Sequence, residues 1–336
     1  MIDYAKFSPV DARLDAIVNL DLGGRGAEHL LDAARRHLGR SPIGAAADLL
    51  AALPDGATVL LTTGSVSRAW ISPTIGENDG PAGVAAIVRA LAVAKRALCV
   101  VVAEETLLPG IGAILTSAGL SILPIEEARK ASQDGSLAVA VIEPFPVTDA
   151  EAAVAAKRML DELKPTLLFS TERVGRNADG IYCSMRGIDY GMGRARIDRL
   201  FDEGLHRKIP TVAVGDGGNE IGMAVVADAV RKHVKFGDKR PDGSSGIGAV
   251  TGADVLVTAA CSNWGCYAIS AALAARLKKA ALVHTPQMEG ALLQRGVDLG
   301  LINSVHNIVD ANVDGIPFAT HLAMAEIISA IVRPSL

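Results

Sequence analysis

Aromatic side chains are scarce in this 336-residue chain, at 4%, and so is net charge: 33 Lys plus Arg against 37 Asp plus Glu leave a formal −4. Without a basic excess there is no field to hold a polyanion, which removes nucleic acid as an expected partner. Cysteine is rare as well. Cys99, Cys183, Cys261 and Cys266 are scattered, and the one close pair fits no common zinc spacing, so the expectation is reduced thiols in a cytoplasmic protein. The first 26 residues carry Asp3, Asp11, Asp15 and Asp21 and no long apolar run, unlike a secretory or transit segment. Two uncharged stretches reach membrane-spanning length, 106–125 and 255–275, but Pro109, Gly110, Gly112, Gly119 and Pro124 break the first, and Ser262, Asn263 and Gly265 interrupt the second. No membrane partner is expected.

What the chain has is aliphatic residues: 50% of it is hydrophobic. From residue 57 onward, short aliphatic runs alternate with longer Ala-rich helical patterns, the signature of repeated βαβ units. The spacing predicts strands at 57–61, 97–103, 137–142, 166–169, 211–214 and 254–259, with weaker candidates at 121–123 and 280–283. Their nearly continuous hydrophobicity implies a sheet covered on both faces. Helices are predicted over 81–96, opened by Pro81, over 149–163, capped by Thr148 or Asp149 and stopped before Pro165, and over 318–332. Two more occupy 26–53. The expected fold is a three-layer α/β/α sandwich with a mostly parallel, Rossmann-like sheet, residues 1–56 forming a helical N-terminal arm and 57–336 the α/β domain. A two-lobed molecule split near 146–165 is the alternative.

Ligands of open parallel sheets bind beyond the carboxyl ends of the strands, so the residues that follow each strand are the place to look. Polar residues collect there. The loop Gly215 to Gly222 places four glycines around Asp216, Asn219 and Glu220, with Glu220 where a dinucleotide fingerprint opened by Gly215 and Gly217 would need its third glycine, and no Lys-Ser/Thr for a P-loop. It reads either as a tight turn capped by Asp216 or as a site in which Asp216 and Glu220 act as acid and base while the Gly217 and Gly218 amides face an anion. The segment Glu172 to Gly187 carries Arg173, Arg176 and Arg186 beside Glu172 and Asp179. Its arginines either anchor a small acidic molecule through their planar forks or pair internally. Glu77 and Asp79, between Gly76 and Gly80, are oxygen ligands suited to Mg or Mn, or a solvated turn. His321 is the best-placed histidine; His29, His37, His206 and His233 read as surface residues.

Taken in order, Glu77-Asn78-Asp79-Gly80-Pro81, Glu172-Arg173-Val174-Gly175-Arg176-Asn177-Ala178-Asp179-Gly180, Gly215-Asp216-Gly217-Gly218-Asn219-Glu220-Ile221-Gly222-Met223, Ser262-Asn263-Trp264-Gly265 and Val313-Asp314-Gly315-Ile316-Pro317-Phe318 resemble the C-terminal domain family of D-glutamate cyclases over roughly 57–325. The resemblance implies a hydro-lyase that converts D-glutamate to 5-oxo-D-proline with loss of water. Chemistry then distributes the roles. Asp216, Glu220 and Glu172 are the catalytic candidates for moving the amine proton. Arg173 and Arg176 would hold the α-carboxylate, Gly217, Gly218 and Asn219 the oxyanion, and Ser262, Asn263, Thr63 and Gly64 would complete the rim. No organic cofactor is expected; a divalent Mg or Mn on Asp79 and Asp216 is the candidate metal, and a homo-oligomer is compatible with the sequence. Another lyase or hydrolase of a small amino or hydroxy dicarboxylic acid, or a non-catalytic binder of an acidic metabolite, are the alternatives.

Overall fold

The structure, a computed structural model, describes residues 8–336; Asp3 and the rest of 1–7 lie outside the described residues. Seven strands form one sheet: β1 (Thr58–Thr62), β2 (Leu98–Ala103), β3 (Ser121–Ile122), β4 (Val139–Pro144), β5 (Leu167–Thr171), β6 (Thr211–Gly215) and β7 (Val255–Thr258). Their order is β3-β4-β2-β1-β5-β6-β7, and every pairing is parallel. Strands after β1 run outward to one side, and those from β5 onward to the other. The direction of winding therefore reverses between β1 and β5, which opens a crevice at their carboxyl ends.

Alternate strand residues feed two cores. Val59, Leu61, Val101, Phe169, Val214 and Val257 face one layer, which contains α1 (Pro9–Val18), α3 (Pro42–Ala52), α4 (Pro81–Lys95), α5 (Leu108–Ser117), α10 (Ser262–Leu277), α11 (Pro286–Asp298) and α12 (Phe318–Val332). Leu60, Val100, Val102, Val141 and Leu168 face α6 (Ile125–Asp134), α7 (Asp149–Leu163) and α8 (Asp198–His206). Beyond them, Ala213 and Leu256 pack on α2 (Ala27–Leu38) and α9 (Ala227–His233). With both faces covered the strands need no polar side, which is why they read as unbroken aliphatic runs. Small residues bring the layers close. A Cβ at Gly83 of α4 would lie 2.9 Å from Asn263 Oδ1 and 3.0 Å from its Cα, so only glycine permits this approach to α10.

The N-terminal arm is built into the domain. Leu14, Val18, Ile43 and Leu50 belong to the same buried cluster as the strand residues, while Leu30 and Ala34 of α2 pack on the other face, so the arm straddles β7. Ion pairs fasten it to α10 and tie its own helices together. Arg276 of α10 meets Asp11 at 2.9 Å, and Arg35 of α2 meets Asp15 of α1 at 3.1 Å. Burial pushes the Asp15 carboxyl up to about 6 against the pull of Arg35. The segment 280–283, a weak strand candidate, is instead a 3-10 turn, Ala280–Leu282. Its carbonyls bond to helices rather than to a strand: Ser270 Oγ donates to Leu282 O and Arg89 Nη1 to Ala281 O. No helix among the described residues is long and apolar enough to cross a membrane.

Candidate active site

Four segments converge on the crevice and together contribute five carboxylates. Glu172 follows β5 directly with φ 49°, and its Oε2 accepts from Ser262 Oγ at 2.5 Å. Asp79 lies in the loop between β1 and α4. Its Oδ2 accepts Ser262 N and its Oδ1 accepts Asn263 N, both at 3.0 Å, so it caps α10 from outside that helix. Asp216 follows β6, and Asp314 occupies a positive-φ turn before α12. Glu77 lines the same space and forms no hydrogen bond through its side chain among the described residues. Oxygens of Asp79, Asp216 and Asp314 lie within 4.8 Å of one another, as do those of Glu172, Asp216 and Glu220.

One cation stands among them. Arg25, from the loop between α1 and α2, donates through Nη2 to Asp216 Oδ2 at 3.2 Å, Asp314 Oδ2 at 3.0 Å and Ala260 O at 2.5 Å. Asn19 directs this loop across the end of β7, donating from Nδ2 to Thr258 O at 2.8 Å. Among the described residues Arg25 alone forms ion pairs with these acids, which leaves the cluster rich in negative charge. Burial first, then neighbouring acids, push Glu77 and Asp79 up to about 7, although Arg194 draws Glu77 down and backbone N–H bonds draw Asp79 down. Burial also drives Glu172 and Asp216 well above the ordinary carboxylate range, with Arg25 opposing it at Asp216. Such a group holds protons near neutral pH, so it can both accept and donate them.

Glu77, Glu172, Asp216 and Asp314 face a cleft of about 350 Å³ lined also by Arg68, Trp70, Arg186, Tyr190, Asn219 and Val305. A more apolar cavity of about 250 Å³, walled by Leu107, Ile111, Ile114 and Leu301, adjoins it through Glu77.

Several residues stand elsewhere than the sequence suggests. Arg173 does not face the cleft: it is fully buried and forms a two-pronged pair with Glu104 at 2.7 and 2.9 Å, with further bonds to Gly64 O and Ala195 O. Arg176 pairs with Asp198 at 2.6 Å and Asp202 at 2.7 Å. Both are structural, which corrects their expected role as anchors for the substrate. The Gly217 and Gly218 amides are likewise occupied. Glu220 Oε1 accepts from Asp216 N at 3.0 Å and Gly217 N at 2.6 Å, and its Oε2 accepts from Gly218 N at 2.7 Å, so this glutamate closes its own turn in place of an oxyanion. No helix starts at Ile221; a 3-10 turn begins at Ala224.

Asn263 Oδ1 accepts from Gly80 N and Gly83 N, tying α10 to the start of α4. Thr63 and Gly64 line the apolar cavity, and the buried Thr63 hydroxyl has no hydrogen-bond partner among the described residues. Asn219 reaches the cleft while its Nδ2 donates to Cys183 O. His321 Nδ1 accepts from Trp264 Nε1 at 2.9 Å deep in the core, a packing role for both rings. Sequence reasoning missed Arg25, Arg68 and the part played by Asp314. Only the Asp314-Gly315 turn carried a local signal.

The model of the D-glutamate cyclase-like, C-terminal family matches residues 14–329. This chain belongs to that family. The match begins inside α1 and so includes Arg25, ahead of the 57–325 region marked out by the motifs. The chain is also similar to the human mitochondrial D-glutamate cyclase, 29% identical over 350 aligned residues. That alignment takes in 95% of this chain and 51% of the relative, so the chain spans about half the relative's length.

Proposed function

We propose that this protein is a hydro-lyase that cyclises D-glutamate to 5-oxo-D-proline with loss of water. The observation that carries the reading is the carboxylate cluster around Arg25 at the sheet's reversal point, in a chain whose family is D-glutamate cyclase-like. Ring closure makes a bond between the α-nitrogen and the δ-carbon, the carbon of the γ-carboxyl group, and breaks one of that carbon's C–O bonds. The ammonium loses two protons and the departing oxygen gains two. Asp216 and Glu172, with carboxyls driven upward by burial and neighbouring acids, are suited to relay them. The cleft holds the chain curled so that amine and carboxyl meet, which supplies much of the rate through proximity.

A divalent Mg or Mn ion is part of this proposal. Asp79, Asp216 and Asp314 offer oxygens close enough for one ion, and a carboxylate that already accepts N–H bonds retains lone pairs for ligation. Such an ion would polarise the γ-carboxyl. The four free cysteines suit a reducing cytoplasm, which we propose as its location.

Incubating the purified protein with D- and L-glutamate, with chelator or added Mg or Mn, and following 5-oxoproline by NMR tests the reading. Product from D-glutamate supports it. No product under any condition removes it, and ligand-dependent melting without product would favour a non-catalytic binder of acidic metabolites.

A further inference from the structure

We propose that Arg68 and Arg186 form a clamp at the mouth of the cleft for the α-carboxylate of an amino dicarboxylic acid. The assignment deepens the cyclase reading and rests on it for the identity of the substrate. An acid-lined floor attracts an ammonium group and repels carboxylates, so a dicarboxylate enters only if cations at the mouth offset that repulsion. Arg173 and Arg176 are engaged with internal acids, and Arg25 with Asp216 and Asp314. Arg68 and Arg186 both line the cleft, and neither pairs with a carboxylate among the described residues.

Their settings differ in a useful way. Neutral acceptors fix the Arg68 fork while leaving its charge uncancelled: Nη1 donates to Ser67 Oγ at 2.7 Å, and Nη2 to Ser304 O at 3.2 Å and Asn307 Oδ1 at 2.5 Å. Arg186 is exposed, on a turn held by Ser184 Oγ, which accepts the backbone N–H of Arg186 and of Ile188, both at 3.3 Å. Gly187 is required there, because its φ is 71° and a Cβ would lie 2.6 Å from Pro241 Cδ. A rigid turn thus carries a side chain with no partner of its own, from a different loop than Arg68. During ring closure the γ-carboxyl must descend to the acids beside the amine, and the α-carboxylate stays outside as a spectator. Planar guanidinium forks suit that group.

The test compares wild type with Arg68→Gln, Arg186→Gln and Arg186→Lys, using D-glutamate and D-glutamate α-amide as substrates, together with glutarate binding followed by NMR. Each glutamine variant is expected to raise KM for D-glutamate about tenfold with a smaller effect on kcat, and to leave KM for the α-amide near the wild-type value. Arg186→Lys should restore part of the affinity, and the glutamine variants should weaken glutarate binding. Unchanged KM for D-glutamate, an equal loss with the α-amide, or glutarate binding that is absent from wild type or equal in the variants would overturn the clamp. Should wild type make no 5-oxoproline, the cyclase reading fails, while weakened glutarate binding in the glutamine variants would still support the clamp.

Discussion

Arg25 and Asp216 lie 191 positions apart in the chain and 3.2 Å apart in the fold. The arm's loop supplies the cation and the loop after β6 the acid. Arg25→Gln is expected to lower stability by about 2 kcal/mol, the range for a hydrogen bond to a charged group, and to make the fold more dependent on added divalent cation. Urea denaturation with and without Mg measures both effects.

Asp216→Asn should behave differently. It replaces a buried titratable acid in a crowded cluster with a neutral amide of the same shape, so melting stays level or rises, while turnover falls by roughly 10²- to 10⁴-fold, the range for loss of a general acid or base. Unchanged turnover would remove Asp216 from the proton path.

Arg173→Met strands Glu104, whose carboxyl this arginine holds below the usual range despite burial. Breaking a buried pair by removing one partner costs about 3–5 kcal/mol. Unfolding free energy should drop accordingly, with KM for D-glutamate close to wild type. The opposite pattern would return Arg173 to substrate binding.

The acid cluster also fixes the direction of a pH effect. Glu77 and Asp79 stay protonated in the folded protein up to about 7, whereas in the unfolded chain they ionise near 4.5 and 3.8. Unfolding therefore releases protons across that window, and these groups' contribution to stability falls as pH rises from about 4 to about 7, then levels off. Asp79→Asn should flatten the decline in thermal melts, and Mn or Mg should raise the melting temperature most at the upper end. A melting profile in which Asp79→Asn leaves the slope unchanged contradicts this account.

The sheet was readable because burial on both faces writes itself into the sequence as uniform aliphatic runs; six of these runs became β1, β2, β4, β5, β6 and β7. Pro81 and Thr148 marked helix starts through local geometry, and Thr148 Oγ1 does accept from Glu151 N. Asp79, Glu172 and Asp216 were readable because carboxylates after parallel strands have one edge to meet at. The arginines were not. Whether a guanidinium faces a ligand or an internal acid depends on partners 22 to 69 positions away, Asp198 for Arg176 and Glu104 for Arg173. Arg25 escaped for a related reason: it precedes the first strand, so a survey of the loops that follow strands passes over it.

The placement of the arm bears on how this chain meets its neighbours. A parallel sheet ends in two rows of unpaired amides and carbonyls, which invite strand addition from another molecule. Here one border strand, β3, is two residues long, and the other, β7, is gripped by α2 and α3 with its last carbonyl already bonded to Asn19. With one border this short and the other flanked by the arm, a preparation that lost the arm is expected to be the one prone to edge-to-edge aggregation.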